Sequence, residues 1–180
     1  RSNLLFMTFD TLRYDVAQAM FEQGRLPTLA RLLPAHGWER RHTPATFTYA
    51  AHHAFFAGFL PTPASPGPHP RLFASQFGGS ETTTASTFAF PEATLPQTLS
   101  ARGYHTICVG GTGFFNPDNA LGRVLPELFD EAHWSPAMSV VDRDSPAHQI
   151  DCAIQAIERQ SGLTFCFINF SAIHQPNWFY

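Results

Sequence analysis

Three short apolar runs constrain the fold of this 180-residue chain more than any other feature. The runs cover Leu4–Phe9, Tyr104–Val109 and Leu163–Phe170, and none of them contains a carboxylate, Lys, Arg, Gly or Pro. Strands that are buried on both faces have this composition, and such strands belong to parallel sheets. Segments with helical signals separate the runs. The sequence therefore predicts an α/β protein with a layered, mostly parallel sheet flanked by helices.

Helix start and stop signals lie between these runs. Tyr49 begins one predicted helix, which ends at Gly58. Thr94 and Gln97 form the capping-box pattern of another helix. The last helix is predicted to begin around Ser145. We expect its buried face to carry Ile150, Ala153, Ile154 and Ile157.

Composition excludes several classes of protein. Hydrophobic residues make up 44% and charged residues 14%, a balance that is typical of a globular domain. The net charge of −3 leaves no basic surface, so we expect neither a nucleic-acid nor a membrane partner. No stretch approaches the ~18 apolar residues of a transmembrane helix. The three widely spaced cysteines indicate neither a disulfide framework nor a zinc cluster, and a cytoplasmic location is expected.

The length of the chain fits a single α/β domain over residues 1–180. Residues 60–93 are rich in Pro, Gly, Ser and Thr, which predicts an excursion over the surface. The chain has no initial Met, and it ends on an apolar, aromatic segment at 173–180. We therefore expect the N-terminal part of a longer catalytic domain, with a fold that is incomplete at its C-terminus.

Polar residues follow two of the apolar runs, at the position where open parallel sheets bind ligands. Asp10 comes directly after the first run. A carboxylate there suits a divalent metal ion, and it also suits the capping of the next turn. His174 follows the last run and precedes a proline turn, which is the expected place of a substrate-binding loop.

The helix that starts near Thr48 adds two more candidates. A helix N-terminus binds anions, and a hydroxyl there is a nucleophile if a metal lowers its pKa. The structural alternative is that Thr48 only caps the helix. His52 shares the helix face with Thr48 and could donate to an anionic substrate. The alternative for His52 and His53 is one packed and one solvated histidine.

Four segments resemble the sulfatase-like branch of the alkaline phosphatase superfamily, in that family's order. LFMTFDTLRYD, at residues 5–15, is similar to the strand that ends in a metal-binding Asp. TYAAHHAFFAGFLP, in which Gly58 follows Thr48 by ten residues, is similar to the nucleophile helix. LPQTLSARGYHTICVGG is similar to the segment after it, and IHQP fits the H-x-P that contacts the substrate anion.

The resemblance implies a metal-dependent hydrolase or transferase of phosphate or related esters, with a small anionic ester as its substrate. Asp10 would hold the divalent ion (Zn, Mn, Mg or Ca). Thr48 would be nucleophile and metal ligand together. His52 takes the place of the Arg in the sulfatase modification motif, and His174 would bind the transferred group.

Departures from the family pattern narrow this expectation. Formylglycine formation is not expected, because no Cys or Ser lies in a C/S-x-P-x-R context. Thr11 replaces the second Asp, and Gly111 and Gly113 replace the Lys and His of G-K-x-H. A threonine nucleophile resembles the phosphotransfer members instead. The later S-D-H-G or S-D-N-G metal ligands would lie beyond Tyr180, so this segment alone is expected to be inactive.

Two other functions stay open from the sequence. Thr11, Gly111 and Gly113 are consistent with a catalytically degenerate alkaline-phosphatase-fold protein that acts as a binding partner. The glycine-rich turn at 110–113 is consistent with an unrelated flavodoxin-like nucleotide-binding module, although neither G-x-G-x-x-G nor a P-loop Lys is present.

Overall fold

The computed structural model describes residues 1–58, 73–74, 88–89 and 94–176. Its strands are β1 (Leu4–Phe9), β2 (Phe73–Ala74), β3 (Phe88–Ala89), β4 (Tyr104–Val109), β5 (Glu131–His133) and β6 (Leu163–Phe170). Its helices are α1 (Tyr14–Glu22), α2 (Pro27–Ala30), α3 (Thr48–Ala57), α4 (Leu95–Ser100), α5 (Ala120–Arg123) and α6 (Ser145–Glu158). Within this part of the chain, no helix has the length and apolar character needed to cross a membrane.

Four of the strands form an all-parallel sheet in the order β1-β6-β4-β5. β6 lies in its interior and pairs along its length with β1 on one side and β4 on the other. β2 and β3 form a separate two-stranded parallel sheet. The predicted α/β class with a parallel sheet and flanking helices is therefore confirmed, and the three apolar runs are strands with the predicted bounds.

Both faces of β6 are buried, which is why its sequence is apolar except for Thr164 and Asn169. Phe165 and Phe167 point to the face that packs against aromatic residues of α3, such as Phe56. Cys166 and Ile168 point to the opposite face, in the cluster that contains residues of α6. Burying each large apolar side chain stabilises the fold by about 1.5–3 kcal/mol. The packed sheet thus fixes the positions of the residues that directly follow the carboxyl ends of its strands.

The buried face of α6 differs from the prediction. Ile150 and Ile154 are 44% and 48% exposed, whereas Gln149, Ala153 and Ala156 are buried. The small alanines let the helix approach the sheet closely, and the Gln149 amide donates to the backbone carbonyl of Asn169 at 2.6 Å. The prediction was right for Ala153 and for Ile157, which packs against the same cluster. It was wrong for Ile150 and Ile154, whose places on the buried face are taken by small and polar side chains.

The chain divides into two compact units. Residues 11–43, with α1 and α2, form one unit, and residues 1–10 and 44–180 form the other. The four-stranded sheet and every candidate site residue belong to the second unit. The excursion predicted at 60–93 lies outside the described residues except for β2 and β3, and so do residues 177–180 of the C-terminal segment.

Candidate active site

The carboxyl ends of β1, β6 and β4 meet at one edge of the sheet. Phe9 is the register partner of Phe170, and the Asp10 N–H continues this pairing by donating to the Phe170 carbonyl at 2.8 Å. The parallel pairing of β4 with β6 brings the residues after β4 beside Asn169. Ligands of open parallel sheets bind outside this edge, so functional side chains are expected to converge here.

Thr48 contacts Asp10 at this edge. The Thr48 hydroxyl donates to Asp10 Oδ2 at 3.0 Å and lies 3.2 Å from Oδ1. Thr48 is buried, and it is the first residue of α3. The N-cap of that helix is Phe47, and no side chain caps it. The alternative in which Thr48 only caps its helix is therefore wrong, because its hydroxyl binds the carboxylate instead.

Backbone strain follows Asp10 directly. Thr11 has a φ of 62°, in the left-handed region that β-branched residues rarely adopt. Such a conformation costs about 1–3 kcal/mol and persists where the surrounding structure imposes it, commonly at functional sites. Asp10 is not a cap of α1, because Arg13 holds that N-cap position. The strained turn ends β1 abruptly and leaves the Asp10 carboxylate at the edge of the sheet.

A buried amide that the sequence analysis missed holds this carboxylate. Asn169 is fully buried in β6, and its Nδ2 donates to Asp10 Oδ2 and to Thr8 Oγ1, each at 3.2 Å. Asn169 Oδ1 accepts the Thr112 N–H at 3.3 Å. That contact sets the orientation of the amide, because a backbone N–H can only donate. The available signal in the sequence was an amide near the end of an otherwise apolar run.

His52 completes a ring of hydrogen bonds with the Asp10–Thr48 pair. Its Nδ1 is 2.7 Å from the Thr48 carbonyl, which can only accept, so Nδ1 carries the proton. Thr8 Oγ1 then donates to Nε2 at 2.9 Å and accepts from Asn169. Burial lowers the pKa of His52, which favours this neutral form.

Aromatic rings surround the His52 imidazole. The rings of Phe55, Phe115 and Phe167 approach it edge-on, with centroids 5.5, 5.6 and 5.5 Å away. His52 is 4% exposed, and both of its nitrogens are bonded within the protein. This geometry favours a positioning role for His52 over the expected contact with an anionic substrate.

His53 is buried as well. It is 4% exposed, and its ring lies 5.8 Å from that of Tyr49. Burial lowers the pKa of His53 to about 4, so the side chain is neutral at pH 7. The alternative of one packed and one solvated histidine is therefore wrong.

His174 lies on the loop after β6, at the same edge of the sheet. The backbone N–H of His174 donates to the Ser171 carbonyl at 2.9 Å, and its ring Nδ1 donates to the Gln175 carbonyl at 2.7 Å. Both contacts are local to the loop. The structure thus brings Asp10, Thr48 and His52 into one hydrogen-bonded group and leaves His174 with backbone partners near it in sequence.

Close packing explains the glycines after β4. A Cβ at Gly111 would lie 2.3 Å from the Asn169 carbonyl oxygen, and one at Gly110 would lie 2.2 Å from the Phe115 Cβ. Real Cβ atoms do not approach so closely, so only glycine allows the turn to reach β6. This approach places the Thr112 N–H on Asn169. Packing therefore accounts for these glycines without a phosphate-binding loop.

Asp10 and Thr48 fit a hard divalent cation. Carboxylate and hydroxyl oxygens are the donors that such ions prefer. The two side chains are 3.0 Å apart at their closest oxygens, within the span of two metal–oxygen bonds of about 2.0–2.6 Å. No group of three or more His, Cys, Asp and Glu residues in the described part of the chain is arranged to hold a metal. An ion at this pair would therefore need further ligands, such as water or substrate oxygens.

Comparisons with known proteins add no assignment. No family model, no curated protein and no solved structure matches the chain. The resemblance to the sulfatase-like branch therefore stays a prediction, which depends on the four sequence segments.

Proposed function

We propose that the protein is a metal-dependent hydrolase or transferase of phosphate or related esters, with Thr48 as its nucleophile and Asp10 as a metal ligand. The observation that carries this proposal is the 3.0 Å hydrogen bond between the Thr48 hydroxyl and Asp10 Oδ2. Asp10 is the carboxylate that follows β1, and Thr48 begins α3. Their contact supports one shared site at the edge where open parallel sheets bind ligands.

The surrounding residues prepare this pair for the reaction. Asn169 and Thr48 both donate to Asp10 Oδ2, which holds the carboxylate in one orientation. His52 accepts from Thr8 and donates to the Thr48 carbonyl, so it holds the first turn of α3 against β1. We therefore assign His52, Thr8 and Asn169 as positioning residues. Pre-organised groups of this kind contribute to catalysis because they need no rearrangement at the transition state.

In the proposed reaction, Thr48 Oγ1 attacks phosphorus in line with the departing alcohol. The hydroxyl proton leaves along its hydrogen bond to Asp10 Oδ2 and passes on to water, so that Asp10 is again a carboxylate that can hold the ion. The bond between phosphorus and the ester oxygen breaks, and the alcohol takes up a proton from water. Water or an acceptor alcohol then takes the phosphoryl group from Thr48 and restores the hydroxyl. A bound divalent ion would supply a lowered pKa for the hydroxyl and neutralise charge on the phosphoryl oxygens.

His174 is the proposed contact for the transferred group. It lies on the loop after β6, and its Nε2 is the nitrogen that does not donate to Gln175. The N-terminus of α3 carries the partial positive charge of the helix dipole, which complements the phosphoryl oxygens. A degenerate, non-catalytic protein of the same fold is the alternative outcome of the test below.

The test is an assay of the full-length protein on phosphate monoesters, diesters and phosphonate esters. The protein is first treated with a chelator, and Mg²⁺, Mn²⁺, Zn²⁺ or Ca²⁺ is then added back singly. We expect turnover that returns with at least one ion and that falls by about a hundredfold or more in Asp10→Asn. Turnover that is insensitive to chelation, or unchanged in Asp10→Asn, would contradict the proposal. Binding of the ion without turnover of any ester would indicate the degenerate alternative.

A further inference from the structure

Gln149 is a fully buried amide of α6 at the carboxyl edge of the sheet. Its Nε2 donates to the Asn169 carbonyl at 2.6 Å and to the Gly110 carbonyl at 3.3 Å. Both partners are carbonyl oxygens, which can only accept, so they fix the orientation of the amide. Its Oε1 accepts no hydrogen bond from the described residues, although burying such an oxygen costs free energy. All hydrogen bonds of this side chain are thus made by its donor end.

The Gln149 amide supplies a donor that the sheet lacks at this point. The Phe170 carbonyl faces β1, where it accepts from the Asp10 N–H. Because successive carbonyls of a strand point to opposite sides, the Asn169 carbonyl faces the side of β4. β4 ends at Val109, whose register partner lies one residue before Asn169. A buried carbonyl needs a donor, and α6 provides it where the neighbouring strand has ended.

Asn169 connects this contact to the candidate site. Its backbone carbonyl is held from α6 by Gln149, and its side-chain Oδ1 accepts from the Thr112 N–H. Its Nδ2 donates to Asp10 Oδ2 at 3.2 Å, and the Thr48 hydroxyl donates to the same oxygen. A shift of the β6 backbone at Asn169 would therefore turn the amide away from the Asp10 carboxylate.

We propose that Gln149 is a positioning residue, which fixes the Asn169 backbone and thereby sets the direction in which the Asp10 carboxylate faces a divalent ion. Residues that hydrogen-bond directly to a metal ligand typically contribute about ten- to a hundredfold to ion affinity or activity. Gln149 acts one contact further away, so a smaller effect is expected. This inference rests on the proposed function, because it requires Asp10 to be a metal ligand.

The test is a calorimetric titration of the full-length, metal-free protein with the ion alone, in the absence of substrate. The ion used is the one of the four that binds the wild type most tightly. Gln149→Met removes the amide and keeps a long side chain. We expect it to raise the Kd of the ion about three- to tenfold and to lower kcat for ester hydrolysis by a similar factor. Gln149→Asn draws the amide back by about 1.5 Å, and its Kd is expected to lie between those of Gln149→Met and the wild type.

Ala156→Gly is the matched control for a loss of packing. Ala156 is a fully buried residue of α6, two turns after Gln149, and its truncation weakens the packing of the same helix. We expect Ala156→Gly to keep the wild-type Kd and kcat under conditions in which circular dichroism shows every variant to be folded.

The possible results separate this inference from the proposed function. A wild-type Kd in Gln149→Met, or an equal rise of Kd in Ala156→Gly, would overturn the role of Gln149 alone. If Gln149→Met does not fold, the same comparison is made with Gln149→Asn, and an unchanged Kd there would overturn the role as well. A wild type that binds none of the four ions, or that binds one and hydrolyses no ester, would overturn the proposed function and the inference with it.

Discussion

The Thr48 hydroxyl donates to Asp10 Oδ2 at 3.0 Å across 38 residues of sequence. The two residues come from different elements, β1 and α3, and they meet because the strand ends where the helix begins. A hydroxyl at the start of a helix ordinarily accepts from a backbone amide. Thr48 donates to a carboxylate instead, and a hydroxyl oriented in this way is suited to lose its proton when a cation binds beside it.

The first prediction concerns the link between His52 and Asn169. Thr8→Val removes the hydroxyl that joins them at nearly constant volume, so it leaves the His52 Nε2 acceptor without its donor. We expect a loss of about 1–3 kcal/mol in the free energy of unfolding, together with reduced ester turnover. Thr8→Ser keeps the hydroxyl and is expected to retain most of both. Chemical denaturation and kinetics of the two variants check this. Equal stability and equal turnover of Thr8→Val and Thr8→Ser would show that the Thr8 hydroxyl does not link His52 and Asn169 in this way.

The second prediction concerns the close approach of the turn after β4. A Cβ at Gly111 would meet the Asn169 carbonyl oxygen at 2.3 Å, so Gly111→Ala must displace the turn or β6. We expect it to destabilise the protein by about 2 kcal/mol or more and to lower activity, because Asn169 holds Asp10. Gly113→Ala is the matched control, since a Cβ there meets nothing within 4 Å and should change stability by less than about 0.5 kcal/mol. Thermal unfolding of the two variants gives the comparison.

The third prediction is a pH dependence of stability that arises from His53. Burial lowers its pKa to about 4 in the folded protein, against about 6.5 when the chain is unfolded. Between these values the unfolded chain binds the extra proton, so stability falls as the pH decreases from about 6.5 towards 4. From pH 7 to pH 5 this residue alone accounts for a loss of about 2 kcal/mol. Burial lowers the pKa of His52 too, which adds a loss in the same direction.

Urea unfolding of the wild type and of His53→Leu at pH 7 and pH 5 measures this effect. The variant keeps a buried apolar side chain but has no proton to bind, so its change in free energy between the two pH values should be smaller by about 2 kcal/mol. An identical change in both proteins would mean that His53 is solvated in the folded state.

β4 and β6 could be predicted from the sequence because burial on both faces selects apolar residues. β6 shows this best, since its alternate residues, such as Phe167 and Ile168, enter two different core clusters. β1 has the same composition and was predicted correctly as a strand, but it lies at an edge of the sheet and exposes Leu4 and Leu5. β5 was missed because three residues, of which Glu131 and His133 are polar, carry no such signal. α1 was missed as well.

The buried face of α6 could be predicted only in part from hydrophobic spacing, which was right for Ala153 and Ile157. Periodicity places large apolar residues inward, but the helix packs through Ala153, Ala156 and the Gln149 amide, and it exposes Ile150 and Ile154. Which face packs depends on the shape of the sheet beneath, and that shape is a property of the tertiary structure.

The two proposed reacting residues of the candidate site could be predicted from the sequence, but the residues that hold them in place could not. Asp10 and Thr48 follow or begin elements, where chemistry-bearing residues are expected, and the structure places them in contact. Asn169 and Thr8 lie inside apolar runs, where a polar side chain carries no sign of its partner. Their pairing depends on the register between β1 and β6, in which Thr8 faces Asn169. Register is a long-range property that residue spacing within one strand does not reveal.

The rate of ester hydrolysis by Thr48→Ala in the full-length protein shows whether Thr48 is the nucleophile. It is measured with the divalent ion that supports turnover by the wild type. If Thr48 is the nucleophile, turnover falls by a factor of about a thousand or more, and Thr48→Ser restores part of it. Thr46→Ala, which alters an exposed threonine two residues earlier, should keep the wild-type rate. Wild-type turnover in Thr48→Ala would show that Thr48 is not the nucleophile.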